Sequence, residues 1–214
     1  MDMRESKHYQ IVYEVWNAIT HGVGFIAAVA GFVILLVHES GLGRSSFAMT
    51  AFAIYGATVC FFLLMSTLFH SLVFTKASHV FQIFDHAGIF LVIFGSYTPY
   101  CWLAMGGTQG WVIWSVILGM TVAGILYEIF FVGRWLWLSV IIYIVMGWMI
   151  VMAMPTLWHS ISHTSFWLLL AGGITYTVGA GIYSIKRIPF GHVWWHLFVL
   201  GGAALMYLSI YLSV

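Results

Sequence analysis

The stretch FAMTAFAIYGATVCFFLLMSTLFHSLVF, residues 47–74, contains no Asp, Glu, Lys or Arg. A helix rises about 1.5 Å per residue, so about 20 apolar residues cross the hydrocarbon core of a bilayer. This run is long enough to do so, and its aliphatic, aromatic and small residues leave no polar face for water. Outward from it the pattern repeats. Further apolar runs lie at Val15–Val37, His79–Leu103, Trp111–Phe131, Trp135–Met154, Ser165–Ser184 and Gly191–Val214. Short connections between them, such as His38–Ser46, Thr75–Ser78 and Ile185–Phe190, hold many of the breaking and basic residues. The expected fold is therefore all-α, a single seven-transmembrane helix bundle over residues 1–214, with residues 1–14 as a short cytoplasmic tail.

Composition agrees. Of the 214 residues 63% are hydrophobic and 6% charged, against roughly 25% charged in soluble domains. The net charge of +1 is spread over scattered basic residues, which argues against a nucleic-acid partner. Cys60 and Cys101 lie in apolar runs and read as small hydrophobes. The polar start and full-length first run, with no small-residue cleavage pattern after it, read as a retained span and not a signal peptide. Pro155 and Pro189 fall at expected span ends, whereas Pro99 lies inside the third run and predicts a kink or an early end.

Cytoplasmic loops carry the excess of Lys and Arg. Arg4 and Lys7 precede the first span, Lys76 follows the second, Arg134 the fourth, and Lys186 and Arg187 the sixth; Arg44 alone lies on the other side. The N-terminus is expected in the cytoplasm and the C-terminus outside.

Ionisable groups within spans are costly and rare, so they are the default functional candidates. His70 ends the second run, Asp85 and His86 open the third, and His192 and His196 open the seventh. This topology brings all of them to the cytoplasmic side. His192 and His196 are four apart, so their imidazoles share one helix face. With His70 from another helix they make the three-imidazole set of an open zinc site. Asp85 is either a fourth ligand or one water away, accepting a proton from a water acidified by the metal. Ser66, one turn from His70, is placed to bond Asp85, a water or a substrate carbonyl. Glu14, Asn17 and His21 share a face of the first helix and are candidates for bracing the site; His86 points about 100° away from Asp85 and is a further candidate. Glu128 is expected at the membrane interface, and His8, His38, His79, His159 and His163 in solvated tails, loops or span ends.

Ser66-x-x-x-His70, Asp85-His86 and His192-x-x-x-His196, with the segment from Glu14 to His21, Gly95-Ser96-Tyr97-Thr98-Pro99 and Lys186-Arg187-Ile188-Pro189, make a pattern covering nearly the whole chain. It resembles the progestin and adipoQ receptor family, most of all its bacterial hemolysin III-like branch. The resemblance implies a multi-pass protein of the bacterial cell (inner) membrane with a cytoplasmic-side Zn2+ on His70, His192 and His196. It also implies that Asp85 reaches the metal through water, with Ser66 beside it. The family's metal site resembles that of the alkaline ceramidases. By that likeness the expected reaction is hydrolysis of a membrane lipid at an amide or ester bond, with Asp85 and Ser66 catalytic. Two other readings compete: a sensor or membrane-homeostasis protein with structural zinc, and a hemolysin-like pore. A pore needs a polar lining across the bilayer, and the far halves of the second and seventh runs carry no charge.

Overall fold

The computed structural model describes residues 6–185 and 187–213. Arg4 and Lys186, used above for orientation, lie outside them. Among the described residues eight α-helices follow in order: α1 Lys7–Gly41, α2 Ser46–Leu72, α3 Ser78–Pro99, α4 Gly107–Phe131, α5 Leu136–Trp148, α6 Met154–Ser160, α7 His163–Ser184 and α8 Gly191–Tyr211. A π-helical turn, Tyr100–Met105, prolongs α3, and a 3-10 segment, Met149–Ala153, joins α5 to α6. This gives seven spans, the third ending at Met105 and the fifth running Leu136–Ser160.

Serines set three of the starts. Ser6, Ser45 and Ser162 accept hydrogen bonds from the backbone N–H of Tyr9, Ala48 and Ser165, each satisfying a donor that the first helical turn leaves open. The Ser6 cap starts α1 at Lys7, so residues 7–14 of the expected tail are helical and Glu14 lies inside α1. Pro99 does not end the third span. The chain passes into the π turn, and the turn into α4 is made by Gly106 and Gly107 at φ of 57° and 53°, a region open to glycine. Pro155 is likewise no span end; it opens α6, and the span continues to Ser160.

The break in the fifth span leaves backbone groups that water cannot satisfy in the membrane interior. Tyr97 supplies what is missing: its hydroxyl accepts from the N–H of Ile150 at 2.7 Å and donates toward the carbonyl of Met146 at 2.8 Å.

Helices α1, α2, α3, α5, α7 and α8 each touch the next, α8 closes on α1, and α4 packs outside against α3. Leu35, Phe52, Phe90 and Ile117 are fully buried, whereas Ile26, Phe130 and Met152 are about 70% exposed. An exposed apolar exterior around a packed interior is what a lipid solvent selects.

Two acidic residues lie deeper than their sequence context suggests. Glu39, expected in the first loop, is buried in the last turns of α1 with its Oε2 3.0 Å from Nε of Arg44. Glu128, expected at the interface, is 1% exposed. Each is held by partners from a neighbouring segment, which offsets the burial of the charge.

Candidate metal centre

Three histidines meet where α1 begins, α2 ends and α8 begins. His70 lies in the last turn of α2, His192 and His196 in the first turns of α8, and one ring nitrogen from each lies within 4.8 Å of the others. Ring centroids are 4.9 Å apart for His70 with His192 and with His196, and 4.5 Å for His192 with His196. Zn–N bonds of about 2.0–2.1 Å in a tetrahedral site separate the nitrogens by about 3.3 Å, so small ring rotations would bring all three onto one ion.

The remaining ring nitrogens settle the tautomers. Nδ1 of His70 is 2.6 Å from Oε2 of Glu14. Nδ1 of His196 is 3.2 Å from the carbonyl oxygen of Asn17 and 3.1 Å from the Thr20 hydroxyl. Carboxylate and carbonyl oxygens only accept, so both Nδ1 atoms carry hydrogen, and in the neutral rings both Nε2 atoms keep their lone pairs. Nε2 of His70 is buried with no hydrogen-bond partner among the described residues. An orphaned acceptor of this kind is costly unless something else fills its lone pair, and a cation fits. The donor set suits zinc among several imidazole-binding metals.

The first helix does the bracing. Glu14 accepts from His70 and, at 3.4 Å, from Nδ2 of Asn17. His21 is 1% exposed and stacks on His196 at 3.5 Å and 12°; its nitrogens have no partner and are not among the three that converge. At the start of α8, Phe190 takes a left-handed conformation, φ 54°, and packs on Tyr9 and Tyr13. The N–H of His192 donates to the Tyr13 hydroxyl at 3.2 Å. Tyr13, Thr20 and Phe190 were not singled out by sequence reasoning. Glu14, Asn17 and His21 at intervals of three and four were the signal that pointed there, since Tyr13 and Thr20 flank that face.

The other expected residues divide. Asp85 is 5% exposed and lines a cavity of about 160 Å³ together with His192 and His196. Its carboxylate is not in the converging group. Ser66 is fully buried, and its hydroxyl bonds neither Asp85 nor its own helix backbone. His86 turns Nδ1 to Glu128 at 3.3 Å and is not among the three converging histidines. His8, His79, His159 and His163 are exposed, His163 while stacking on Trp158; His38 is half-buried and stacks on Tyr211.

The cavity continues from the histidines past Phe62, Tyr176 and Val199 to Ile150 and Met206. His192 and Met206 stand 14 positions apart on α8, about 21 Å at 1.5 Å per residue. The His and Asp side chains cluster at one end of a long, mostly apolar chamber, with Ser96, Tyr97 and Tyr100 deeper in its lining.

The family model "Haemolysin-III related" matches residues 9–207. "Hemolysin-3" of Bacillus cereus is 42% identical over 197 residues, covering 92% of this chain and 90% of its own length. "Hemolysin-3 homolog" of Bacillus subtilis is 38% identical over 202 residues, 94% of each chain. The human "Monocyte to macrophage differentiation factor" is 27% identical over 205 residues, 91% of this chain and 82% of its own. With seven spans and matches of this extent, the chain is a multi-pass bacterial membrane protein that belongs to the haemolysin III-related branch of the progestin and adipoQ receptor family.

Proposed function

We propose that this protein is a zinc-dependent membrane hydrolase that cleaves an amide or ester bond of a membrane lipid. The observation that carries the reading is one arrangement: three histidines, two of them with tautomers fixed by α1, converge beside an apolar cavity that two of them, His192 and His196, line together with Asp85.

A zinc ion with three protein ligands and an open position acidifies a bound water and polarises a carbonyl. The chain's own residues supply the rest. The cavity, lined by Phe62, Val199 and Met206 among others, takes the acyl chain and keeps bulk water from it. Asp85, which lines the cavity together with His192, accepts the proton that the attacking water gives up. Ser66, fully buried one turn from His70 with an unpartnered hydroxyl, is proposed as a donor to a water beside the histidines.

Lys7, Lys76, Arg134 and Arg187 flank the bundle end that holds the histidines, and Arg44 the other, which supports a cytoplasmic site. The name of the Bacillus relatives points to membrane lysis, but a pore requires polar groups through the full depth. Here the far part of the cavity, where Ile150, Leu169 and Met206 stand with Tyr97 and Tyr100, is lined by no Asp, Glu, Lys, Arg or His among the described residues, which supports a lipid tail. The test is release of fatty acid from N-acyl and O-acyl lipids in mixed micelles by zinc-loaded protein. Turnover that a chelator stops and zinc restores is expected; none on either class contradicts the reading.

A further inference from the structure

A second polar cluster opens onto the same cavity from the α3–α4–α5 side. At its centre Glu128 is buried on α4, and its two oxygens are divided between neighbours. Oε1 accepts from the Ser139 hydroxyl at 2.7 Å and stands 3.4 Å from the Tyr143 hydroxyl; Oε2 lies 3.3 Å from Nδ1 of His86. The Tyr143 hydroxyl also donates to the backbone carbonyl of His86 at 3.1 Å. The imidazole is thus held from both ends, through its ring by α4 and through its backbone by α5.

The carboxylate fixes the chemistry of the ring. Because Glu128 only accepts, Nδ1 of His86 carries the hydrogen, and Nε2 is left for a second partner. His86, Asp85, His192 and His196 line one cavity, so that partner is whatever the cavity holds. A buried carboxylate that orients an imidazole and stabilises its doubly protonated form is the arrangement by which a histidine becomes a proton-transfer group. A carboxylate inside a membrane span is costly to keep, and sealing this wall alone would need only apolar side chains.

We propose that His86, oriented by Glu128, is the general acid that protonates the leaving group of the lipid; this rests on the hydrolase reading above. Water adds to the carbonyl carbon and gives one proton to Asp85. The bond from that carbon to nitrogen, or to the ester oxygen, breaks with its electron pair moving to the departing atom. That atom takes the Nε2 proton of doubly protonated His86. The proton held by the neighbouring Asp85 then returns to His86, so one water is consumed, one acid and one amine or alcohol form, and both side chains regain their starting states. His86 is the catalytic residue and Glu128 its positioning residue.

The two roles are separable by leaving group, since 4-nitrophenolate departs without a proton and an alkylamine does not. The probes are the 4-nitrophenyl ester and the ethanolamide of one long-chain fatty acid, presented in detergent micelles to zinc-loaded full-length protein. Loss of a general acid costs about 10²–10⁴-fold, so His86→Gln should lower amide cleavage by about 100-fold or more and leave the ester within about threefold of wild type. Glu128→Gln and Tyr143→Phe should show the same selectivity to smaller extents, with zinc per chain unchanged in all three. Equal losses on both probes, or an unchanged amide rate in His86→Gln, would overturn the assignment while leaving the hydrolase standing. A wild type that cleaves neither probe takes down the hydrolase reading and this assignment with it.

Discussion

Oε2 of Glu14 lies 2.6 Å from Nδ1 of His70, joining the first turns of α1 to the last turn of α2 on the side of the ring opposite the unpartnered Nε2. A carboxylate in this position fixes the tautomer, orients the ring and raises its basicity as a ligand, and removal of such partners typically weakens metal binding about 10–100-fold. Glu14→Ala should therefore weaken zinc binding by that factor in competition with a chromophoric chelator. Glu14→Gln, which can still accept from Nδ1, should lose less. Equal affinity in Glu14→Ala and wild type would show that the contact does not serve the metal.

Asp85 stands on the cavity wall outside the histidine cluster. Asp85→Asn should keep zinc at the wild-type ratio and lose at least about 100-fold in turnover of a lipid amide or ester, the scale of a lost general base. Zinc lost together with activity would make Asp85 a ligand instead.

Tyr97 serves the broken fifth span. In Tyr97→Phe the N–H of Ile150 loses its 2.7 Å acceptor, and an unsatisfied buried donor costs about 1–3 kcal/mol. A lower melting temperature in detergent, with metal content retained, is the expected result. An unchanged melting temperature would mean that the 3-10 segment satisfies itself.

At Gly110 a Cβ would sit 2.2 Å from the carbonyl oxygen of Cys101. The obstacle is backbone, which cannot swing aside as a side chain can. Gly110→Ala should destabilise the junction between the π turn and α4 by about 1–3 kcal/mol, again read as melting temperature. The same substitution at Gly119, where nothing lies within 4 Å, should be neutral to slightly stabilising.

The spans were legible because lipid imposes one rule on all seven: about 20 apolar residues and no unpaired backbone. That rule places the run at 47–74 without knowing any neighbour. It does not locate helix ends in water, so the cap at Ser6 and the extension of α1 over residues 7–14 were not visible. Nor does it show how a span can break and continue. Pro155 read as a span end and Pro99 as a kink or an early end, yet Tyr97 and the π turn supply the backbone bonds that let both spans run on.

Within the site, His70, His192 and His196 were legible because span direction alone puts the end of the second and the start of the seventh at one depth. The partners were harder. Glu128 lies three residues from the end of its apolar run, where an interfacial acid is common, and only the approach of Ser139 from α5 and His86 from α3 makes its burial tolerable. Phe190 carried no sequence signal for its left-handed backbone, a conformation glycine or asparagine would ordinarily occupy.

The most direct test of the metal centre is elemental analysis of the detergent-purified protein by plasma mass spectrometry, comparing wild type with the His192→Ala, His196→Ala double variant. About one zinc per chain is expected in the wild type, as three imidazoles on one ion require, and none in the folded double variant. Zinc retained in the variant, or none in a folded wild type even after zinc is added, would contradict the assignment of His70, His192 and His196 as its ligands.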